Sequence, residues 1–365
     1  MAGVFQSMTS VQNSQGRFPD VRERFIGVQY ARAAAALGVL MFHAAQRGGH
    51  DFAVGARGVD LFFVISGFIM WTVSTRRENR PMAFFGARLK RIVPLYWIAT
   101  LSLAVGALAG LFPTLRQELT WSHLVQSLLF IPHVSPGSGQ IWPVLVPGWT
   151  LNLEMFFYVV FAACLLLRPA ARLACLTLSF LVLVVAGLFA PPSNALAATY
   201  TDPLILEFVA GVWLAVLIRR MPRPGPLGAL LSIGAGAAAL LILPFWGGLS
   251  ERLACLAGAT LCLYGVLSMD LRQATPDILV LRIIGDASYS IYLWHGVAVS
   301  VAAAVAGKLG MPAFTIIPAA VAGGLILGAF SYFGLERPIG KLLSRSRPSA
   351  AINRRPPDAA GAGRG

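Results

Sequence analysis

The sequence predicts an all-α, polytopic membrane protein of about ten transmembrane helices, with both termini on the cytoplasmic side. Three observations carry this fold class. Of the 365 residues, 57% are hydrophobic and 12% are charged, and the mean hydropathy is +0.71. Soluble domains carry about 25% charged residues, and a water-soluble fold could not cover this much apolar surface. Apolar runs close to the roughly 20 residues that cross a bilayer core recur along the chain. Lysine and arginine, finally, collect in every second connection between those runs.

The runs fall at 27–45, 58–75, 92–112, 147–167, 173–190, 203–218, 226–244, 252–270, 285–307 and 314–335. Turns containing Gly or Pro join 226–244 to 252–270 and 285–307 to 314–335, as in helical hairpins. With the N-terminus inside, 23 Lys and Arg lie on cytoplasmic segments and five outside, which sets the orientation. Residues 1–26 read as a polar cytoplasmic segment with no cleavable signal, and residues 27–338 as the membrane domain. Residues 339–365, rich in Pro, Gly, Ala and Arg, read as a disordered cytoplasmic tail. The longest outer connection, 113–146, is too rich in Pro and Gly for an eleventh straight span.

The net charge of +14 does not point to nucleic acid, because the basic residues sit in short stretches between spans without interleaved aromatics. Cys164, Cys175, Cys255 and Cys262 all fall in apolar stretches, with no CxxC spacing and no neighbouring His cluster. They read as small core residues, and no metal site is expected.

The chemistry lies in polar residues inside the apolar runs, each costing about 2.5–3.5 kcal/mol at mid-helix on insertion scales. In "GVQYARAAAALGVLMFHAA", Arg32 and His43 are eleven residues apart, about 16 Å of rise and three turns plus roughly 20°. They share one face at two depths, the mark of a polar stripe, although an arginine near the inner interface can also snorkel. Asp60 opens "GVDLFFVISGF" at the depth of His43, where it either orients the imidazole or interacts with the helix N-terminus. Ser66 and Gly67 allow close helix approach.

Arg88 and Arg91 in "RLKRIVPLYW" share a helix face at i, i+3 and either grip phosphates or anchor the inner interface. Glu154 in "GWTLNLEMFFY" sits a turn inside its span, and a carboxylate there must be paired, protonated or hydrated. Ser288, Tyr292 and His295 in "GDASYSIYLWH" stand at i, i+4, i+7, giving one polar face for substrate or for helix–helix hydrogen bonds. Glu336 in "LERP" reads as an interfacial partner of Arg337.

Six of these phrases, "QYARAAAALGVLMFHA", "GVDLFFVISGF", "RLKRIVPLYW", "GWTLNLEMFFY", "GDASYSIYLWH" and "LERP", stand in the order found in the acyltransferase 3 family, which the chain resembles from residue 27 to about 338. The wording of "GVQYARA" and "PGWTLNLEMFFY" is most similar to the family's exopolysaccharide-production branch. The resemblance implies transfer of an acyl group, most simply acetyl from acetyl-CoA, to a hydroxyl of a polysaccharide or its lipid-linked precursor. It implies His43 as the essential histidine, Arg32 as its partner, Arg88 and Arg91 as the RxxR pair of the acyl-CoA site, and Glu154 as the acidic position. It also implies a bacterial inner (plasma) membrane location and partners in the polysaccharide-biosynthesis machinery, with acyl-CoA a donor substrate rather than a resident cofactor. Two departures stand out: no esterase-like C-terminal domain follows, and "ARAAAALG" replaces bulkier aliphatics.

On this reading His43 is the base, Asp60 and Glu154 stabilise its imidazolium, and Ser288, Tyr292 and His295 line the substrate path. Direct attack and an acetyl-histidine intermediate both remain open. The rival reading is a transporter or flippase of lipid-linked sugars, which would also place polar residues along a bundle seam.

Overall fold

The computed structural model describes residues 25–74, 80–242 and 248–345. Among these residues every regular element is a helix or helical turn. The first is α1 (Ile26–Arg47). Phe25 before it has no side-chain cap, and the acceptor comes from far along the chain. Asp270 takes hydrogen bonds from the amides of Gly27 and Val28 at 2.8 and 3.3 Å, satisfying donors that a helix start leaves open. After a 3-10 turn (Ala53–Arg57) comes α2 (Gly58–Ser74).

Helix α3 (Pro81–Leu108) begins well before the expected span at 92. Proline at its first turn is compatible with a helix start, and the basic turns carrying Arg88 and Arg91 continue the apolar helix below the membrane interface. The connection between α3 and α6 holds only α4 (Pro113–Glu118) and α5 (Trp121–Leu128). The latter is tied to α3 by Tyr96 and Trp97, which donate to the carbonyls of Ser127 and Leu128 at 3.0 and 2.8 Å.

There follow α6 (Gly148–Cys164), α7 (Pro169–Phe189), α8 (Ala195–Tyr200), α9 (Ile205–Leu217), α10 (Pro226–Ile242) and α11 (Gly248–Leu271). The chain closes with α12 (Leu279–Asp286), α13 (Ser288–Lys308), α14 (Ile316–Ser331), a π turn (Tyr332–Glu336) and α15 (Arg337–Arg345). Seven helical stretches are long and apolar enough to cross a membrane: Ala53–Ser74, Pro81–Leu108, Pro169–Phe189, Ala195–Leu217, Gly248–Leu271, Ser288–Lys308 and Ala313–Leu343. The apolar helices α6 and α10 have 17 residues each, and α1 has 22.

One expectation is corrected. The tail read as disordered from 339 instead continues as α15 to Arg345. The helix resumes directly after the π turn and is held against α3 by Lys90, whose ammonium donates to the Leu343 carbonyl at 3.5 Å. The rest of that tail, and the N-terminal segment up to residue 24, lie outside the described residues.

Lipid gives no hydrophobic drive between helices, so close packing must hold them. An aromatic cluster fills the centre: Phe157 stacks on Phe208 at 4.5 Å, and Phe208 on Phe63 at the same separation. Helices α2 and α9 cross with their backbones in contact. A Cβ on Gly67 would lie 2.0 Å from the Phe208 carbonyl oxygen, and one on Gly211 the same distance from that of Val64. Only glycine fits at either point.

Candidate active site

Helices α1 and α13 pack side by side and bring two imidazoles together. The rings of His43 and His295 stack with centroids 5.0 Å apart and planes 24° from parallel. His295 is 2% exposed, and its Nδ1 lies 2.6 Å from the Tyr292 carbonyl oxygen. A carbonyl only accepts, so Nδ1 carries a proton and donates it to Tyr292. His43 is half-buried, with the Phe42 ring tilted beside it, centroids 4.7 Å apart. Ser288, Tyr292 and His295 are all buried on one face of α13, as their spacing predicts. The Tyr292 hydroxyl pairs with Thr150 of α6 at 2.9 Å.

Glu154 lies one turn further along α6. One of its oxygens accepts from Ser66 of α2 at 2.9 Å and from Tyr158 at 2.5 Å. Arg88 of α3 acts on the Tyr158 hydroxyl electrostatically, and its guanidinium lies 5.8 Å from the ring centre of Phe84. Glu154 acts in the same way on Tyr292 and Tyr289. It is thus a midpoint between the histidines and the arginines.

Arg91 takes another direction. Its Nη1 is 2.8 Å from Glu336, whose second oxygen accepts from Ser290 at 2.7 Å. The guanidinium sits 6.0 Å from the centre of the Tyr289 ring, and the Tyr289 hydroxyl donates to the Ile92 carbonyl at 2.8 Å. Glu336 therefore pairs with Arg91, not with its chain neighbour Arg337 as the sequence suggested. The π turn is the reason: it widens the backbone spiral at Tyr332–Glu336 and turns Glu336 inward, where it is buried. Arg32, half-buried on α1, donates to the buried Gln29 at 3.1 Å.

Asp60 is not brought to His43. Asp60, Val64 and Gly67 form one stripe on α2, and that stripe faces α9. Its carboxyl lies near that of Glu207 there, close enough for the two to act on each other electrostatically. Asp60 is 3% and Glu207 1% exposed. Around them Arg57 pairs with Glu251, and Arg252 with Asp202 at 3.7 Å. Glu207 was open to detection, because it is an ionisable residue inside an expected span.

A second histidine pair, also missed, lies in the connection between α3 and α6. His133 donates from Nδ1 to the Ile131 carbonyl at 2.7 Å, so its Nε2 accepts from Nδ1 of His123, also at 2.7 Å. Burial, and then the neighbouring His133, push His123 down to about 4. Among the described residues no group of three or more His, Cys, Asp or Glu is placed to hold a metal.

The arrangement supplies two stacked imidazoles, hydroxyl and carboxylate groups leading away from them, and two guanidiniums. Groups of these kinds can take up a proton and hold an anion.

The family of the acyltransferase domain, acyltransferase 3, matches residues 25–333. The chain is 46% identical over 313 residues to the exopolysaccharide production protein ExoZ of Rhizobium meliloti, covering 84% of this chain and 96% of that one. It is 29% identical to the putative membrane-bound transacylase BcsY of Komagataeibacter xylinus, over 78% of this chain and 75% of that one. It is 27% identical to the putative peptidoglycan O-acetyltransferase YrhL of Bacillus subtilis, over 86% of this chain and 54% of that one. No solved structure matches the chain. The family match over nearly the whole helical bundle, with apolar helices long enough to cross a bilayer, makes this chain a multi-pass membrane O-acyltransferase that belongs to the acyltransferase 3 family.

Proposed function

We propose that the protein transfers an acetyl group from acetyl-CoA to a sugar hydroxyl of an exopolysaccharide or its lipid-linked precursor. The observation that carries this reading is the polar seam from the stacked His43 and His295, through Tyr292, Thr150, Glu154 and Tyr158, to Arg88, with Arg91 held by Glu336 one turn along α3. In support of the acceptor class, the relative covered almost end to end is named for exopolysaccharide production. The protein crosses the bacterial inner membrane ten times, by α1, α2, α3, α6, α7, α9, α10, α11, α13 and α14, with both termini in the cytoplasm. The excess of Lys and Arg on the cytoplasmic connections supports that orientation. It acts beside the machinery that builds the polysaccharide.

Arg88 and Arg91 hold the phosphates of the donor at the inner end, Arg91 with about a third of its side chain open to solvent (32%) while Glu336 fixes the other part. Arg32 adds positive charge on the same side. The sugar hydroxyl gives its proton to a ring nitrogen of His43 as its oxygen attacks the thioester carbonyl. The carbon–sulfur bond breaks, and the departing thiolate takes that proton. In the stepwise variant His43 attacks first and carries the acetyl group to the hydroxyl. Glu154, fixed by Ser66 and Tyr158, stabilises positive charge along the seam.

The test uses purified protein in detergent with labelled acetyl-CoA and a lipid-linked oligosaccharide. Proton-transfer catalysis contributes about 10²–10⁴-fold, so His43→Ala loses at least about a hundredfold in turnover while acetyl-CoA still raises its melting temperature. Replacing Arg88 and Arg91 by Gln removes that thermal shift. Near wild-type turnover by His43→Ala refutes the reading.

A further inference from the structure

We infer that His295 is a positioning residue whose work is done by its ring face: it is a fixed stacking platform that sets the plane of the His43 imidazole for proton transfer. The inference rests on the proposed role of His43 and goes beyond it.

Two facts define the platform. The His295 ring cannot turn, because its Nδ1–H is held by the Tyr292 carbonyl at 2.6 Å and the side chain is 2% exposed. The His43 ring lies over it at 5.0 Å and 24°, a face-to-face contact. Rings stacked in this way present faces to each other, while their nitrogens point outward in the ring planes. No in-plane hydrogen bond joins the two, so His295 cannot hand a proton to His43 directly. What it can fix is direction. His43 hangs on a rotatable side chain and is half-buried; a hydrogen bond with Gln46, one turn along α1, tethers a nitrogen but leaves the plane of the ring to be set by what packs on its face. With His295 stacked against it and Phe42 tilted at 59° alongside at 4.7 Å, the ring has two aromatic neighbours that restrict its rotation. Offset or tilted stacking of this kind is a favoured aromatic geometry. A base must lie within hydrogen-bond reach and in line with the proton it takes, and a misplacement of about 1 Å costs on the order of 10²-fold.

A platform and a second base make opposite predictions for phenylalanine. Phe keeps a ring face and has no nitrogen. His295→Ala should lose about a hundredfold in kcat with the KM for acetyl-CoA little changed, and His295→Phe should recover to within about fivefold of wild type. The acid limb of the kcat/KM profile stays in place in His295→Phe, because the titrating group is His43. His295→Asn keeps a donor for the Tyr292 carbonyl but has no ring, so it should behave like Ala. A folded His295→Phe as slow as His295→Ala overturns the platform. If His295→Phe does not fold, an Asn variant at wild-type rate overturns it, and an Asn variant as slow as Ala supports it. A fully active His43→Ala overturns the proposed function and the platform together, whereas a dead His43→Ala with equally slow Phe and Ala variants at 295 overturns the platform alone.

Discussion

Gly67→Ala puts a methyl group where α2 and α9 touch. The new carbon would stand 2.0 Å from the Phe208 carbonyl oxygen, and ordinary contact begins at 3.4 Å, so the helices must part by about 1.4 Å. Neither side of the clash is a flexible side chain, and the Gly211–Val64 contact nearby allows no easy pivot. Overpacking costs about 1–3 kcal/mol, and a backbone-to-backbone clash belongs at the top, near 3 kcal/mol or over a hundredfold in the folded-to-unfolded ratio. A shift of that size also carries Ser66 beyond reach of Glu154, now 2.9 Å away. Turnover should therefore fall by about tenfold in the protein that remains folded, the loss of one hydrogen bond to a charged group. The control is Gly234→Ala on α10, where no atom lies within 4 Å and the change should stabilise by up to about 1 kcal/mol. Thermal unfolding in detergent and acetyl transfer measure both effects. A Gly67→Ala protein that melts with Gly234→Ala would mean that the two backbones do not touch.

Two further perturbations test the periphery of the site. Glu336→Gln removes the charge 2.8 Å from Arg91 and should cost about 1.5–3 kcal/mol in thermal unfolding; in an Arg91→Gln background the cost should nearly vanish, and full additivity would deny the coupling. In the connection between α3 and α6, burial pushes His123 down to about 4 when folded against 6.5 free, so the unfolded chain takes up the proton first as pH falls. The stability it contributes is complete above 6.5 and drains away toward 4, so the melting temperature should fall across that window and fall less in His123→Asn. Equal slopes would refute the assignment.

What the sequence made legible was local. A helix needs only its own residues to be apolar, so the ten expected runs fall on α1, α2, α3, α6, α7, α9, α10, α11, α13 and α14, with ends displaced where polar turns continue the spiral, as at Pro81. The faces were legible too: Ser288, Tyr292 and His295 share one, as 3.6-residue periodicity requires. Partners were not, because neighbours in a bundle are a property of the whole chain. Asp60 stands at the depth that suggested His43, yet its stripe also contains Gly67, and a glycine in an apolar helix marks the side where another backbone comes close. Read that way, the carboxyl belongs with whatever packs on Gly67, which is α9 and its Glu207.

Glu336 was harder. Nothing in "FGLERP" announces a π turn, and an ordinary α continuation would leave Glu336 near Arg337 rather than facing Arg91. The same geometry divides the RxxR pair. Residues three apart on a helix differ by about 60° in direction, so two arginines on one face need not meet one partner. Arg88 looks toward Tyr158 and Glu154 on α6, and Arg91 toward Glu336 and Tyr289 at the end of the bundle. A spacing that reads in sequence as a single grip is divided in three dimensions between two sets of partners, one arginine directed toward Tyr158 and the other braced by a buried carboxylate. Substituting the two separately should therefore give different phenotypes, with Arg88→Gln disturbing the seam around Glu154 and Arg91→Gln loosening the bundle end held by Glu336.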